Sequence, residues 1–554
     1  MKVLVWQKIN KIVLSAIILS FTIILLLLQL RRFNLLGALA FDMGIYQQAV
    51  WQMAHGEPLF NTIRGTHFFG DHFRPVMFLF APFYRLWSHP FWLFLGQTLA
   101  LALGALPLYR IALRHTQKPW VANLVVVGYL LHPASFTMLI FDFHSILLAI
   151  PFLLWAIDAA DEGRPFLFFI SSFMALTCKE NVAVAVASVS LFAILFRQRW
   201  WGILGLLMSA LWFWIAMELV AKFGGVEYSP YLALYQRWGE TPMDILWSLL
   251  RQPFLALQAL ILCSGHTTAP GVYPLLLLVP FGFLPLLAPD VLAFALPGYA
   301  LIALSERPIM RDLGYWHGSL VLPWLVVASA FAWGRLLRWG QEFSLQSQNH
   351  WHKLLALNWL TCLFFSTWYY GLPTINRFSY NTLPAERAQS IQRLLNELIT
   401  PDASVSATST LVPLLAHRRE IYLFPNPFQP FMWGASKEAL EEQMGRKEIT
   451  PLSPEQMAYR LKQSRVDFIL LMPKTHLGPL KEADYETLVV GVLSCPEYGV
   501  IAVQDGIIVL RRGADFLLGL RRLGVLDVTE LSELPQSLSK ILRDRWQQLV
   551  RETL

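Results

Sequence analysis

The sequence predicts a mainly α-helical, polytopic membrane bundle of about eleven spans, followed by a small α/β domain. Three observations lead to this prediction. Hydrophobic residues make up 55% of the 554 residues and charged residues only 15%, whereas an average soluble domain has roughly 25% charged residues. Apolar runs of helix length recur up to about residue 371, and beyond Pro384 the apolar runs shorten to strand length. So few charges cannot cover a soluble globule of this size, and the composition excludes a disordered or fibrous protein.

The first apolar run, from Ile12 to Leu30, follows a basic N-terminus and resembles a signal peptide. It is as long as a full span of about 20 residues, and no small-residue cleavage site follows it, so we expect an uncleaved first helix. Residues 244–263 are amphipathic and broken by Arg251 and Pro253, and we expect them at the membrane interface. The ten further predicted spans lie near residues 91–112, 119–139, 145–157, 165–178, 182–196, 201–221, 271–287, 290–304, 318–334 and 353–371.

The basic residues of the short loops predict the orientation of these spans. With the N-terminus inside, the inner loops are 110–118, 158–164, 197–200, 288–290 and 335–353. Most loop arginines and lysines fall in them, in agreement with the positive-inside rule. Arg31 and Arg32 do not follow this rule. Eleven spans then place the C-terminal part of the chain on the outer side.

We expect three parts: a transmembrane domain over 1–380 whose outer loops hold the functional site, an extracytoplasmic α/β domain over 381–513, and a helical tail over 514–554. In the second part, PAERAQSIQRLLNELI has the spacing of an amphipathic helix, and TLVPLLAHR favours a second helix. The segments ASVSAT, EIYLF and VDFILLM are typical of strands. GVIAVQDGIIVLRR predicts a hairpin that turns at Asp505 and Gly506.

Charge and cysteine content exclude two classes of site. The net charge is +7, from 44 basic and 37 acidic residues, but the basic residues are scattered over many short loops. No basic stripe or nucleic-acid module is present, so we expect no nucleic-acid partner. The four cysteines are far apart and have no zinc-site spacing.

Acids and histidines at predicted membrane boundaries are the most informative residues, because ionisable groups near lipid are costly and are usually paired or functional. The first cluster is FDMGIYQQAVWQMAHGE, in which Asp42 directly follows the first span. The spacing of Ile45, Ala49 and Met53 predicts a helix at the membrane interface. Asp42 is then either a functional acid or simply the N-cap of that helix.

Two further clusters combine aspartate with histidine. HFFGDHFRP contains Asp71, His72 and Arg74, and FDFH contains Asp142 and His144 in a very short outer turn. Aspartate and histidine together can form a general base with an orienting partner, or two ligands of a divalent cation. The alternative for FDFH is a hydrogen-bonded loop cap.

The fourth cluster, CKEN, places Lys179 beside Glu180 between two apolar segments. The two charges either neutralise one another or leave Lys179 to bind a phosphate group. RDLGYWHGS adds Arg311, Tyr315 and His317 in another outer loop, where a solvated loop is the alternative. No single cluster is specific. The prediction of a site depends on several acid-bearing clusters that fall on one side of the bundle.

These motifs, in this order, resemble the bacterial membrane family called domain of unknown function 2079. The resemblance is carried by FDMGIYQQAVW, GDHFRPVMFLFAPFYRL, ALALGALPLYRIA, FDFHSI, KEN and LVPLLAHRREIYLFP, and covers roughly residues 35–510. That family is similar to the C-type (GT-C) glycosyltransferases, which use a lipid-phosphate-linked sugar. The resemblance implies a GT-C-like fold in the bacterial cytoplasmic membrane and a polyprenyl-phosphate sugar donor that reacts with an acceptor on the outer side.

The resemblance also implies roles for the clustered residues. Asp42 corresponds to the essential acid of the first outer loop, and Asp71 or Asp142 is the candidate second acid. An adjacent pair of acids, present in several subfamilies, is missing from the first loop. The candidate substrate-binding residues are His72, Arg74, His144, Lys179, Glu180, Tyr315 and His317. A divalent cation such as Mg²⁺ or Mn²⁺ would be held by Asp42, Asp71, His72, Asp142 and His144.

Two other functions compete with this interpretation. A transporter or flippase of a lipid-linked or small solute would also carry ionisable residues in a multi-span bundle. It predicts charges near mid-span and broken helices in related halves, whereas the charges here lie at span ends. A non-catalytic scaffold would present the outer domain and predicts that the loop acids do not converge.

Overall fold

A computed structural model describes residues 2–226, 229–263, 269–342, 345–379, 382–429, 452–473, 482–493, 495 and 497–514. All of the predicted tail except Ala514 lies outside them. The chain forms two compact units. We call them the helical unit, which comprises residues 1–30, 72–79 and 91–378, and the mixed unit, which comprises residues 31–71, 80–90 and 379–554.

The helical unit is built almost entirely from apolar helices. Helix α1 (Lys2–Asn34) begins in it and ends in the mixed unit. Its other helices are α5 (Phe91–Leu103), α6 (Ala105–Thr116), α7 (Pro119–Leu130), α8 (Pro133–Phe141), α9 (Ala149–Glu162), α10 (Pro165–Leu176), α11 (Val182–Leu191), α12 (Gly202–Gly224), α13 (Pro242–Arg251), α14 (Pro253–Leu262), α15 (Val272–Leu278), α16 (Pro289–Leu292), α17 (Leu296–Ala303), α18 (Leu322–Trp339), α19 (Leu345–Ser366) and α20 (Leu372–Ser379). Proline at the first or second position starts many of them, where its missing N–H costs nothing.

Of the roughly eleven predicted spans, only three to five are clear in the described residues. Three helical stretches there are long and apolar enough to cross a membrane: Ile9–Asn34, Phe91–Thr116 and Gly202–Gly224. The number rises to five if the bent pairs α7–α8 and α13–α14 each count as one span. The predicted spans 318–334 and 353–371 fall on α18 and α19, which have 18 and 22 residues but are not among the clear spans. The remaining predicted spans form apolar helices of 10–17 residues, or runs interrupted by proline, glycine and short 3₁₀ turns. Hydropathy detected the apolar runs but not these interruptions.

A network of ion pairs closes one end of the helical unit, where α6 and α9 end. The Asp158 carboxylate is fully buried and binds Arg110 at 2.9 Å, Arg114 at 2.5 Å and Arg164 at 2.6 Å. One turn further on, Asp161 binds Arg114, Arg197 and His115. The structure therefore joins the arginines of three predicted inner loops into one cluster.

The mixed unit combines short helices with a five-stranded sheet. Its helices are α2 (Ile45–His55), α3 (Phe68–Asp71), α4 (Ala81–Leu86), α21 (Ala385–Leu398), α22 (Val412–Leu415), α23 (Pro454–Gln463) and α24 (Glu482–Leu493). Its strands are β1 (Phe60–Asn61), β2 (Thr66–His67), β3 (Val405–Ala407), β4 (Ile421–Leu423), β5 (Phe468–Leu471), β6 (Tyr498–Gln504) and β7 (Ile507–Arg512). β1 and β2 form a separate antiparallel pair.

The strand order of the sheet is β4-β3-β5-β7-β6, with β4, β3 and β5 parallel and β7 and β6 antiparallel to their neighbours. The predicted strands and the helix α21 are confirmed. The hairpin turns at Asp505 (φ 51°) and Gly506 (φ 76°), where the two positive φ values match the Asp-Gly turn that the sequence predicted. Ala388, Ile391 and Leu395 form the buried face of α21.

Helix α2 departs from the interfacial helix expected of the first outer loop. Seven of its eleven residues are buried, three glutamines among them. Gln47 Nε2 donates to Pro413 O at 3.1 Å, and Gln48 Nε2 donates to Arg419 O at 2.9 Å and to Thr62 Oγ1 at 2.7 Å. Because the glutamines bind the backbone of the C-terminal segment, α2 is an internal helix of the mixed unit.

Candidate functional site

The loops that carry the candidate residues of the helical unit lie at the end opposite to the ion-pair network. Helix α9 runs between the two ends, since the FDFH turn precedes its first residue and Asp158 and Asp161 lie in its last turn. The loop between α10 and α11 carries Lys179 and Glu180, and the loop between α17 and α18 carries Tyr315 and His317. The arrangement follows from antiparallel helices joined by short loops.

Glu180 pairs with His72 and not with its sequence neighbour. Glu180 Oε1 lies 2.7 Å from His72 Nδ1, and Glu180 Oε2 accepts from the Phe73 N–H at 3.1 Å. The His72 ring is stacked on Tyr231, with ring centroids 4.3 Å apart. Burial raises the pKa of Glu180, but His72 and the nearby Lys179 charge outweigh it and lower the pKa to about 2. The carboxylate is therefore ionised, and its hydrogen-bond partners are His72 and the Phe73 N–H.

Lys179 and His317 lie in one group of basic side chains. Lys179 is half-buried, and among the described residues no carboxylate lies within ion-pair distance of its ammonium. The pKa of His317 lies well below its usual range because the ring is buried and because Arg307, Lys179 and His144 act on it. All three of these neighbours disfavour a further positive charge. We call Lys179, Arg307, His144 and His317 the cationic cluster. Lys179 and Arg307 supply its positive charge, the neutral His317 ring can donate a hydrogen bond, and the cluster is suited to an anion.

Hydrogen bonds connect the FDFH turn to neighbouring helices. Asp142 is fully buried and ends α8 in an extended conformation. The His144 N–H donates to Gln97 Oε1 at 3.2 Å, and Gln97 Nε2 donates to Gln29 Oε1 at 2.6 Å. The His144 ring is stacked on Trp316, with centroids 3.4 Å apart. The turn thus brings its histidine to the loop that carries His317.

A buried aspartate fixes that loop. Asp312 is fully buried and binds Arg377 Nη1 at 3.0 Å and the Tyr370 hydroxyl at 2.8 Å. Its carboxylate also accepts from the Gly314 N–H at 2.8 Å. The Arg377 guanidinium lies over the ring of Tyr315, 5.6 Å from its centroid. Tyr315 and the residues after it are therefore held against α20.

The Arg311 side chain binds backbone carbonyls close to it in sequence. Its guanidinium donates to the carbonyls of Ile302 and Ser305 at 3.2 and 2.5 Å, so it closes its own loop. Arg74 is buried at the start of a short 3₁₀ helix, and its carbonyl accepts from the Met77 N–H at 3.2 Å.

In the mixed unit, Asp42 lies in an unusual backbone conformation. Its φ is 67° and its ψ is −86°, inside a kink over Ala40–Gly44 that precedes α2. Gly44, and not Asp42, is the N-cap of α2. The N-cap alternative for Asp42 is therefore wrong. A non-glycine residue in this region costs of order 1–3 kcal/mol, and such residues are concentrated at functional sites.

Asp71, the second acid of the mixed unit, ends α3 and is buried. Asp71 Oδ1 binds Arg64 Nη2 at 3.0 Å, with both side chains at least nine-tenths buried. The Arg64 guanidinium also lies 5.7 Å from the centroid of the Phe41 ring, beside Asp42. Because the guanidinium neutralises Asp71, this residue is a weaker candidate for a general base than Asp42.

The residues do not fit the divalent cation that the sequence suggested. Across the described ranges, no group of three or more His, Cys, Asp or Glu side chains is arranged to hold a metal ion. Two of the proposed ligands already bind cationic or acidic partners, since Asp71 binds Arg64 and His72 binds Glu180.

Sequence reasoning missed the residues that position the site. Asp312 stands inside the RDLGYWHGS motif, but its partners Tyr370 and Arg377 are 58 and 65 residues further on. Gln29 and Gln97 lie within apolar helices. The available signal was an uncharged polar or acidic residue inside or beside an apolar run, where an unpaired polar group is costly.

One family model matches this chain, and the solved structures that are similar to it include two of ArnT. The model of a family described as "Predicted membrane protein (DUF2079)" matches residues 32–508. No curated protein matches the chain.

The chain is similar to crystal structures of ArnT from Cupriavidus metallidurans, one bound to undecaprenyl phosphate and one in the apo state. The first has a TM-score of 0.49 and 12% identity, and covers 91% of this chain and 99% of that one. The second has a TM-score of 0.46 and 13% identity, and covers 90% and 98%. Likeness at this level assigns no reaction.

Proposed function

This chain belongs to the DUF2079 family of predicted membrane proteins, and on that premise we propose that it is a membrane glycosyltransferase of the C type. It transfers a sugar from a polyprenyl-phosphate-linked donor to an acceptor on the outer side of the bacterial cytoplasmic membrane. Its N-terminus is then cytoplasmic and its C-terminal residues extracytoplasmic. The proposal joins the resemblance of the loop motifs to the chemistry of the side chains in those loops.

The cationic cluster is the observation that supports this proposal most. Lys179 has no carboxylate within ion-pair distance in the described residues, because Glu180 binds His72. A phosphate group would neutralise Lys179 and could accept hydrogen bonds from His317. A leaving phosphate gains negative charge in the transition state, so a fixed cation there lowers the barrier.

Asp42 is the proposed general base that deprotonates the acceptor hydroxyl. It is not needed as a helix cap, since Gly44 occupies that position. Its backbone is held at a φ of 67° and a ψ of −86°, a strained conformation of the kind that is concentrated at functional sites. The acceptor oxygen would attack the anomeric carbon of the sugar, the bond from that carbon to the phosphate oxygen would break, and the proton would pass to the carboxylate.

Replacement of Asp42 by asparagine tests the assignment. We expect Asp42→Asn to lower sugar transfer by about 10²–10⁴-fold, the usual contribution of general-base catalysis, because an amide does not accept a proton at neutral pH. Expression level and Tm should stay unchanged, since asparagine also tolerates positive φ. The measurement is transfer of labelled sugar from a polyprenyl phosphate in membranes.

Asp505→Asn is the matched control, because Asp505 also has a positive φ, of 51°, and lies in the hairpin turn of the sheet. This variant should keep full transfer. Full transfer in Asp42→Asn would rule out Asp42 as the base, and absence of transfer in the unmodified protein with every polyprenyl-phosphate sugar would rule out the reaction itself.

A further inference from the structure

The kink that carries Asp42 needs support from outside its own residues. Asp42 has a φ of 67° and a ψ of −86° inside Ala40–Gly44, and a strained residue persists only where its surroundings over-determine its conformation. The contacts that the kink makes within the mixed unit therefore identify what holds it. Three contacts of the kink and of the helix it leads into come from one segment, residues 409–413.

The first contact is a hydrogen bond at the start of the kink. The Ala40 N–H donates to Ser409 Oγ at 3.3 Å. Both residues are at least nine-tenths buried, so the bond is stronger than it would be in water. Ala40 lies two residues before Asp42, and the bond therefore fixes the direction in which the backbone enters the strained residue.

The second contact is a close approach at the end of the kink. A Cβ on Gly44 would lie 3.0 Å from Val412 Cγ1 and 3.1 Å from Ile63 Cδ1. Gly44 has a φ of −61°, which is an ordinary helical value, so glycine serves here for space and not for its backbone freedom. The kink therefore packs closely against Val412 where it joins α2.

The third contact ties the first turn of α2 to the same segment. Gln47 Nε2 donates to Pro413 O at 3.1 Å, and Gln47 is fully buried. We call Ser409, Val412 and Pro413 the clamp. Val412 and Pro413 belong to LVPLLAHRREIYLFP, a motif to which the loop chemistry gave no role. The clamp contacts the chain on both sides of Asp42, so it can set the orientation of that residue.

The sheet holds the clamp itself in place. The Thr408 N–H donates to Leu470 O at 3.0 Å, and Thr408 Oγ1 accepts from the Met472 N–H at 3.0 Å. These bonds join the carboxyl ends of β3 and β5 directly before Ser409. Functional residues supported by strands are placed more precisely than residues supported by loops alone. The position of Asp42 therefore depends on the C-terminal sheet of the mixed unit.

We propose that Ser409 is a positioning residue for Asp42 and that the clamp orients the carboxylate which the proposed function uses as a base. The inference rests on that function, and it gives the C-terminal sheet a part in the reaction. Ser409 acts through the backbone of the kink and does not touch the substrate. Misplacement of a catalytic group by about 1 Å can slow a reaction by about 10²-fold, so loss of the Ser409 hydroxyl should slow transfer. Donor binding by the cationic cluster belongs to the helical unit and should not change.

Amide hydrogen exchange of the full-length protein in detergent micelles tests the contact without an activity assay. In Ser409→Ala the Ala40 amide loses this acceptor, and peptides covering residues 40–44 should exchange severalfold faster than in the unmodified protein. Ser404→Ala is the matched control, because Ser404 Oγ accepts from the Asp467 N–H at 2.9 Å at the opposite end of β3. It should leave exchange over 40–44 unchanged. Equal exchange in Ser409→Ala and in the unmodified protein would overturn the proposal.

Transfer kinetics test the consequence for the reaction, with labelled sugar on a polyprenyl phosphate at varied donor concentration. We expect Ser409→Ala to lower kcat by at least about 10-fold at an unchanged donor KM, and Ser404→Ala to keep full transfer even where its Tm falls equally. Faster exchange over 40–44 with full transfer, or an equal loss of transfer in both variants, would overturn the proposal. Absence of transfer in the unmodified protein would instead refute the proposed function, and with it any role of Ser409 in the reaction.

Discussion

The two ends of the helical unit carry charge in opposite ways. Where α9 ends, the carboxylates of Asp158 and Asp161 bind the guanidinium groups of several loops. Where α9 begins, Lys179 and the neutral ring of His317 belong to the cationic cluster, and the adjacent carboxylate of Glu180 is bound to His72. At one end the charges are neutralised within the protein, and at the other end a bound anion would neutralise them. Charged residues at the two ends therefore have different consequences, depending on how they are paired.

This difference separates charges that hold the fold from charges available for chemistry. A buried ion pair is weakly stabilising as a whole, but removal of one partner is costly because it leaves an unpaired buried charge. Removal of a cation that has no partner costs little stability. Mutations at the two ends should therefore affect different properties, stability at the end of α9 and ligand binding at its beginning.

The largest expected effect on stability is at Asp158. Its fully buried carboxylate binds three arginines, so Asp158→Asn should destabilise the protein by about 3–5 kcal/mol. The measurement is the Tm of the purified protein by scanning fluorimetry. Glu162→Gln, on the same helix turn but 40% exposed, is the matched control and should cost under about 1 kcal/mol. Similar losses in both variants would contradict the role of burial.

The second prediction concerns pH and the pair of Glu180 with His72. The pKa of Glu180 is lowered to about 2, and a carboxylate with a lowered pKa stabilises the fold above its unfolded pKa and loses that contribution as the pH falls. The contribution is roughly 3 kcal/mol at neutral pH. Glu180→Gln should therefore lower the Tm at pH 7, and the difference from the unmodified protein should shrink between about pH 4.5 and pH 2.

Glu455→Gln is the control for acid effects unrelated to this pair, because Glu455 is exposed and contacts only Ser453. Its Tm difference from the unmodified protein should be small at every pH. If the Tm difference between Glu180→Gln and the unmodified protein stays constant down to about pH 3, His72 does not lower the pKa of Glu180 as the geometry indicates.

The sheet was more predictable from sequence than the helical unit, and the reason is local. β3, β4, β5 and the hairpin β6–β7 follow from short apolar runs and an Asp-Gly turn, which are features of neighbouring residues. The number of spans depends on where prolines and 3₁₀ turns interrupt an apolar run, as after Leu278 and Leu292. Hydropathy averaged over about 20 residues does not detect such interruptions.

The sequence predicted which loops carry the candidate residues, but not which side chains pair with one another. Lys179 and Glu180 are adjacent in sequence, yet Glu180 binds His72, 108 residues away. Asp71 was a candidate catalytic acid, yet it binds Arg64 within the mixed unit. Which cation neutralises which acid depends on distances across the fold, and sequence position alone does not contain those distances.

The third prediction concerns Lys179, at the end of the helical unit where α9 begins. Lys179→Met should lower sugar transfer by about 10²-fold, equivalent to roughly 2.7 kcal/mol of transition-state stabilisation, while the Tm stays nearly constant. Lys222→Met, at the exposed end of α12, is the matched loss of one lysine and should leave transfer unchanged. A large fall in Tm in Lys179→Met would mean that this lysine holds the fold, and the contrast between the two ends would fail.

The smallest expected effect is at an ion pair that is well formed but exposed. Both Asp290 oxygens accept from Arg335 Nη2, at 2.8 and 2.6 Å, and the two side chains are 44% and 35% exposed. Solvent screens this pair, and the arginine keeps its bond to Leu287 O at 2.9 Å when the acid is lost. Asp290→Asn should therefore cost about 0–1 kcal/mol, measured as Tm, with even less effect at high salt. A loss as large as that of Asp158→Asn would show that the number of ion pairs, and not their burial, sets stability at this end of the bundle.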